Sequence, residues 1–131
     1  MATKKLSSIK QTATIPASPA EVYEMLMDSK KHSSFTGTKC NISRKIGGKY
    51  SAYDGYCGGE NLELKDGKKI VQTWRSADFP EGHYSKITYS LAKVKGGTKI
   101  SFSQTGIPSG QVADLKKGWI EFYWTPMKKL K

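Results

Sequence analysis

The sequence predicts an α+β domain: one curved antiparallel sheet of about seven strands, packed on a long C-terminal helix, with one or two short helices after the first strand. Three observations predict it. Between residues 39 and 105 apolar side chains alternate with a period of two, interrupted by Gly-Gly and Asp-Gly pairs, which is the pattern of successive hairpins. Ser18-Pro19 followed by Glu21 is a capping-box helix start placed just ahead of those hairpins. Beyond Ser109 the apolar residues fall at three- and four-residue steps, the stripe of an amphipathic helix.

The elements follow in order. Residues 1–7 read as a flexible start to a single domain spanning 1–131. Residues 8–15 alternate Ile9, Ala13 and Ile15 against Lys10, Thr12 and Thr14, a strand with one wet face. Val22, Tyr23, Met25 and Leu26 form the inner stripe of the first helix, and Asp28-Ser29 ends it or opens a second one reaching Phe35. Gly47-Gly48, Asp54-Gly55, Asp66-Gly67 and Gly96-Gly97 are turn signals. In the strand 56–64, Leu62 and Leu64 are expected to face inward, and Gly58-Gly59 to mark a bulge or bend. Strands are also expected at 70–75, 83–94 and 99–105. Ser109 is the expected cap of the final helix, Gly118 is expected to pack against another backbone, and Pro126 to kink the last turns.

Composition bounds the function. At 131 residues a folded chain hides roughly two-thirds of its unfolded surface, so one true core is expected. Seven Tyr, four Phe and three Trp make that core aromatic-rich. Lys and Arg number 22 against 11 Asp and Glu, a formal charge of +11 that favours acidic partners. Arg44 and Arg75 are the only arginines, and phosphate and base readout leans on arginine's planar fork, so nucleic acid is not the expected partner. Cys40 and Cys57 form no C-x-x-C pair and read as two reduced thiols of a cytoplasmic protein. No apolar run approaches the roughly 18 residues of a membrane span. There is no phosphate-binding G-x-x-x-x-G-K-[ST] loop, no nucleophile elbow, no H-E-x-x-H and no paired carboxylates. The expectation is a protein without cofactor, metal or catalytic residues.

Candidate site residues fall into two groups. Arg75, Phe79, Pro80, Glu81 and His83 occupy the end of one strand and the longest loop between strands, where aromatic and arginine contacts suit an interface. For Arg75 and Phe79 the reading as packed or solvated residues stands equally open. Lys116 and Lys117 add positive charge on the last helix. Trp74, Tyr89, Phe102, Trp119, Phe122 and Tyr123 are candidates for the core or for the lining of a cavity between sheet and helix.

This layout resembles the helix-grip fold of START-related lipid carriers and the birch-pollen allergens. Arg44-x-x-Gly47-Gly48-x-Tyr50 is similar to that superfamily's hairpin motif. Asp54-Gly55 with Gly59-Glu60, Ile70-Val71 with Trp74-Arg75, Phe79-Pro80-Glu81-Gly82-His83, Gly106-Ile107-Pro108 and Gly118-Trp119 resemble, in this order, the C-terminal domain of the activators of the ninety-kilodalton heat-shock chaperone's ATPase. Phe79 stands where that family usually has Trp. The resemblance implies a cytoplasmic, stress-response co-chaperone that regulates an ATPase rather than being an enzyme. It implies docking on the N-terminal and middle regions of heat shock protein 90. The full-length activators have a further N-terminal domain with an Asn- and Trp-rich segment, absent from these 131 residues, so binding is implied more directly than activation. The alternative is a helix-grip protein that binds a hydrophobic small molecule in its cavity or acts in a cyclase-like way.

Overall fold

The computed structural model describes residues 6–52, 55–79 and 82–130. Strand β1 (Leu6–Ile15) leads into α1 (Pro19–Met27) and α2 (Ser29–Thr36). Strands β2 (Asn41–Ile42), β3 (Lys49–Ala52), β4 (Cys57–Lys65), β5 (Lys69–Ser76), β6 (Ser85–Val94) and β7 (Gly97–Pro108) follow. A short 3₁₀ turn (Ser109–Gln111), α3 (Val112–Trp119), a π-helical segment (Ile120–Trp124) and α4 (Thr125–Leu130) complete the chain. The seven strands form one antiparallel sheet in the order β1-β7-β6-β5-β4-β3-β2. The first strand thus pairs with the last, and each remaining pair is a hairpin.

Local chemistry explains the helical insert. The Ser18 hydroxyl accepts from the Glu21 amide at 3.2 Å, and the Glu21 carboxylate accepts from the Ser18 amide at 3.2 Å, so two orphan donors are satisfied reciprocally. Asp28 ends α1 and caps α2, accepting from the Lys31 amide at 3.0 Å. Gly37 then closes α2 in the left-handed conformation, with φ of 74°.

The concave face of the sheet holds the core. Ile9, Ile15, Ile70, Ile87, Ile100 and Phe102 point inward, and Trp119, Tyr123, Trp124 and Met127 cover them from the C-terminal helix. Inside this apolar layer runs a buried polar chain. Trp119 Nε1 donates to Gln104 Oε1 at 2.8 Å, Gln104 Nε2 to Ser85 Oγ at 2.8 Å, and Ser85 Oγ to the Trp74 carbonyl at 2.8 Å. Each member is satisfied, so the chain fixes the helix on the sheet without an orphaned group.

Several sequence expectations are corrected. Leu6 and Ser7 belong to β1 rather than to a flexible start; residues 1–5 lie outside the described residues. The bulge in β4 sits between Asn61 and Glu63, not at Gly58-Gly59. The extra residue resets the alternation, so Leu62 is 45% exposed while Asn61 is buried. Asn61 is satisfied there by donating to the Ser43 and Lys45 carbonyls, at 2.7 and 3.0 Å. Gly58 and Gly59 serve close backbone approach instead: a Cβ on Gly59 would lie 2.0 Å from the Thr73 carbonyl oxygen. Ser109 opens a 3₁₀ turn and α3 starts after Gln111, which makes no side-chain capping bond. Gly118 packs against no backbone; a Cβ there would meet only the Phe122 ring, at 3.8 Å.

The irregularity expected at Pro126 appears one turn upstream. The Thr125 amide bonds the Ile120 carbonyl, an i to i−5 closure. Proline's ring crowds the carbonyl four residues back, and a widened turn relieves that crowding. The extra residue rotates the helix face. Trp124 turns into the core, and Phe122, expected inside, is 52% exposed.

Candidate functional site

Among the described residues of the strand-end loop, Phe79 is packed while Ala77, Asp78, Gly82 and Tyr84 are exposed. Phe79, for which an interface and a packed position stood equally open, is only 4% exposed. Its ring lies 5.3 Å from that of Trp74 and 5.8 Å from that of His83. A loop phenylalanine is free of any strand or helix period, so its direction is set by this tertiary contact. His83 Nε2–H donates to the Gly106 carbonyl at 2.7 Å, tying the loop to β7. Arg75 Nη2 donates to the Phe79 carbonyl at 3.2 Å, and its guanidinium carbon lies 5.8 Å from the centre of the exposed Tyr84 ring. Pro80 and Glu81 lie outside the described residues. Trp74, Arg75, Phe79 and His83 are therefore brought together. Lys116 and Lys117 are not: the Lys116 carbonyl accepts from Gln11 on β1, three strands from Arg75, and Lys117 pairs with Glu121 at 3.8 Å.

Of the core or cavity candidates, Trp74, Tyr89, Phe102, Trp119 and Tyr123 are buried. Trp119 is their hub, with ring centres 4.4 Å from Phe102, 4.6 Å from Tyr123 and 5.8 Å from Trp74. These rings fill the space between sheet and helix. Beside them, at one end, lies a cleft of about 370 Å³ between α3, the Tyr56 turn and the end of β5. Its walls are Tyr56, Trp74, Trp119 and the exposed Phe122 ring, and Asp78 and Asp114 stand among the lining residues. Tyr56 donates its hydroxyl to the Asp78 carboxylate, and Gln111 Nε2 donates to the Asp78 carbonyl at 2.7 Å. Cys57 also lines the cleft, but burial pushes its thiol up to about 12, so it stays protonated and is no nucleophile. Both cysteines are free and buried.

His32 is a buried structural link. Its Nδ1–H donates to the Leu26 carbonyl at 3.1 Å, and its Nε2 accepts from the Tyr123 hydroxyl at 3.0 Å. Burial lowers its pKa from 6.5 to about 4, against the opposing effect of the Leu26 bond.

The outer face of the sheet is the other distinctive surface. Strands β1, β5, β6 and β7 contain no Asp or Glu. Register sets their outward residues in rows. Lys10 lies opposite Ser103 and Thr88, Thr12 in line with Ser101, Ser90 and Lys69, Thr14 with Lys99, and Thr105 with Lys86 and Thr73. Lys10, Lys86 and Lys99 are exposed, and Lys69 reaches Glu63 of β4 at 3.5 Å. Short hydroxyl side chains between them leave the ammonium groups standing proud, and a shallow groove of about 380 Å³ runs past Lys10, Thr88 and Ser103. The total charge read from the sequence gives no hint of this face. Alternation along each strand could have found it, because the outward residues in these rows are Lys, Ser and Thr, joined by Val71 and Ala92.

No helix among the described residues is long and apolar enough to cross a membrane. Comparison with known proteins gives the lineage. The chain is 30% identical over 116 residues to the human protein named activator of 90 kDa heat shock protein ATPase homolog 1, covering 88% of this chain and 34% of that one. It is 33% identical over 113 residues to the Dictyostelium discoideum activator of 90 kDa heat shock protein ATPase homolog, covering 86% of this chain and 30% of that one. The chain thus spans about a third of the length of these relatives. A crystal structure described as an HSP90 activator from Plasmodium falciparum superposes with a TM-score of 0.88 at 25% identity, over 94% of each chain. A Chromobacterium violaceum protein shares the fold, with a TM-score of 0.76 at 23% identity over 94% of this chain and 95% of that one. The family profile described as Activator of Hsp90 ATPase homolog 1-like protein matches residues 16–130, and the chain belongs to that family.

Proposed function

We propose that this domain is a co-chaperone module that docks on Hsp90 and regulates its ATPase, with the outer face of the sheet as the docking surface. The observation that carries the docking surface is the lysine-and-hydroxyl face on four strands that hold no carboxylate. One wet face is ordinary for an antiparallel sheet. A wet face without a single acidic neighbour on those strands projects its charge outward and steers an acidic protein surface to it. The partner is the chaperone because the family and the named relatives are activators of that ATPase. The contact falls on its N-terminal and middle regions, and the ATP chemistry stays on the chaperone. Regulation follows from differential affinity: a domain that binds the hydrolysing conformation better than the open one shifts the population towards it. Trp119 and its aromatic neighbours occupy the space between sheet and helix apart from the end cleft of about 370 Å³, which supports protein binding over carriage of a large lipid.

The test is a titration of the labelled domain with purified Hsp90, following amide shifts and ATP turnover together. The reading expects salt-sensitive shifts centred on Lys10, Lys86, Lys99 and Ser103. It fails if sub-millimolar domain at low salt shows neither shifts nor any change in turnover.

A further inference from the structure

The end cleft is set apart from the rest of the molecule by its charge. The chain has 22 Lys and Arg, yet none is among the described lining residues, whereas Asp78 and Asp114 both are. Asp114 also lies in the first turn of α3, where a carboxylate suits the helix dipole. Asp78 has no such role, since it lies on the turn after β5 and is held there by Tyr56. The walls are aromatic: Tyr56, Trp74, Trp119 and Phe122. Aromatic faces next to carboxylates are the surroundings that stabilise a desolvated organic cation, through the negative ring face and through direct charge pairing.

Gly118 supplies an independent observation. A glycine inside a helix costs about 1 kcal/mol against alanine. No close packing offsets that cost here, since a Cβ would meet only the Phe122 ring at 3.8 Å. Gly118 lines the cleft, so the missing side chain keeps it open. A volume of about 370 Å³ sits in the range of small-ligand sites.

We infer that the cleft between α3, the Tyr56 turn and the end of β5 is a binding site for a small organic cation, an ammonium group on a ring-sized apolar body. The apolar body lies against Trp74 and Trp119, and the ammonium group faces Asp78 and Asp114. This site is separate from the sheet face proposed for docking, and its test needs no chaperone.

The experiment uses the whole chain and amide and indole NMR shifts, with three probes of one shape class: benzyltrimethylammonium, benzyl alcohol and benzenesulfonate. Benzyltrimethylammonium is expected to give saturable shifts at Gln111, Leu115 and the Trp119 indole, with affinity at least about tenfold above the other two. Replacing both acids, Asp78→Asn with Asp114→Asn, is expected to remove that advantage and to leave benzyl alcohol unchanged. Gly118→Leu is expected to abolish binding while the melting temperature holds or rises, which separates a filled cleft from a misfolded chain. Equal affinity for the cation and benzyl alcohol overturns the inference. So does a cation preference that survives the double asparagine variant, or the lack of any saturable shift in the cleft.

Discussion

Lowering the pH from 7 to 4 should destabilise this domain through one residue, His32. Its ring is buried between α2 and the π-helical segment, with both nitrogens engaged by Leu26 and Tyr123. The Tyr123 hydroxyl donates to Nε2 of the neutral ring, and burial takes the charged form of the ring out of water. The folded pKa is therefore depressed from 6.5 to about 4. The sign follows from proton uptake. Between those two values the unfolded chain holds the proton and the folded chain does not, so stability is complete above pH 6.5 and is lost as pH falls towards 4. At about 1.4 kcal/mol per pH unit, the loss attributable to His32 is roughly 3 kcal/mol. The assay is urea unfolding at pH 7, 6, 5 and 4, for the wild type and His32→Gln, with the ring titration followed by NMR. Whatever the variant's stability at pH 7, its curve should be flatter than wild type over this window by roughly 3 kcal/mol. A His32 ring that titrates near 6.5 in the folded protein, or two parallel stability curves, would refute the reasoning.

Three further substitutions test the packing. Gln104→Met should cost roughly 1–3 kcal/mol in chemical denaturation, because the buried Trp119 indole N–H loses its acceptor. Gly59→Ala should cost about 1–3 kcal/mol or more, because its Cβ would fall 2.0 Å from the Thr73 carbonyl oxygen in the neighbouring strand; an unchanged melting temperature would contradict the close approach. Gly118→Ala should instead stabilise by up to about 1 kcal/mol, read as a higher melting temperature, since the helix gains propensity and the new methyl meets only ordinary contact.

Much of the fold was legible because it is written locally. The capping box at Ser18 and the Asp28 junction are satisfied by atoms three residues away, so the sequence alone contains both partners. The alternation of Ile87, Tyr89 and Leu91 survives intact because β6 pairs in unbroken register with both β5 and β7. Where one residue is inserted into a period, reading fails. The bulge beside Asn61 turned Leu62 outward, and the π-helical turn exchanged Phe122 for Trp124 in the core. Neither insertion leaves a local signal except Pro126, whose position told of strain but not of the direction of the shift. The candidate sites were less legible. Phe79 belongs to no period, and its burial depends on Trp74 and His83 from β5 and its own loop. Asp78, Gln111 and Asp114 meet only because the fold brings the end of β5 against the start of α3. The basic face likewise emerges from register across four strands, since the lysines on it are spaced far apart in sequence.

The central claim is that the outer sheet face recognises the chaperone by charge. The measurement that tests it most directly is the affinity of Hsp90 for a variant carrying Lys10→Gln, Lys69→Gln, Lys86→Gln and Lys99→Gln. The control removes as many charges from the last helix and α2, with Lys30→Gln, Lys31→Gln, Lys116→Gln and Lys128→Gln, and both are compared at low and moderate salt. Neutralising the sheet face should weaken binding at least about tenfold and flatten its salt dependence, while the control stays near wild type. Equal losses in the two variants would mean that overall charge, not this face, attracts the partner.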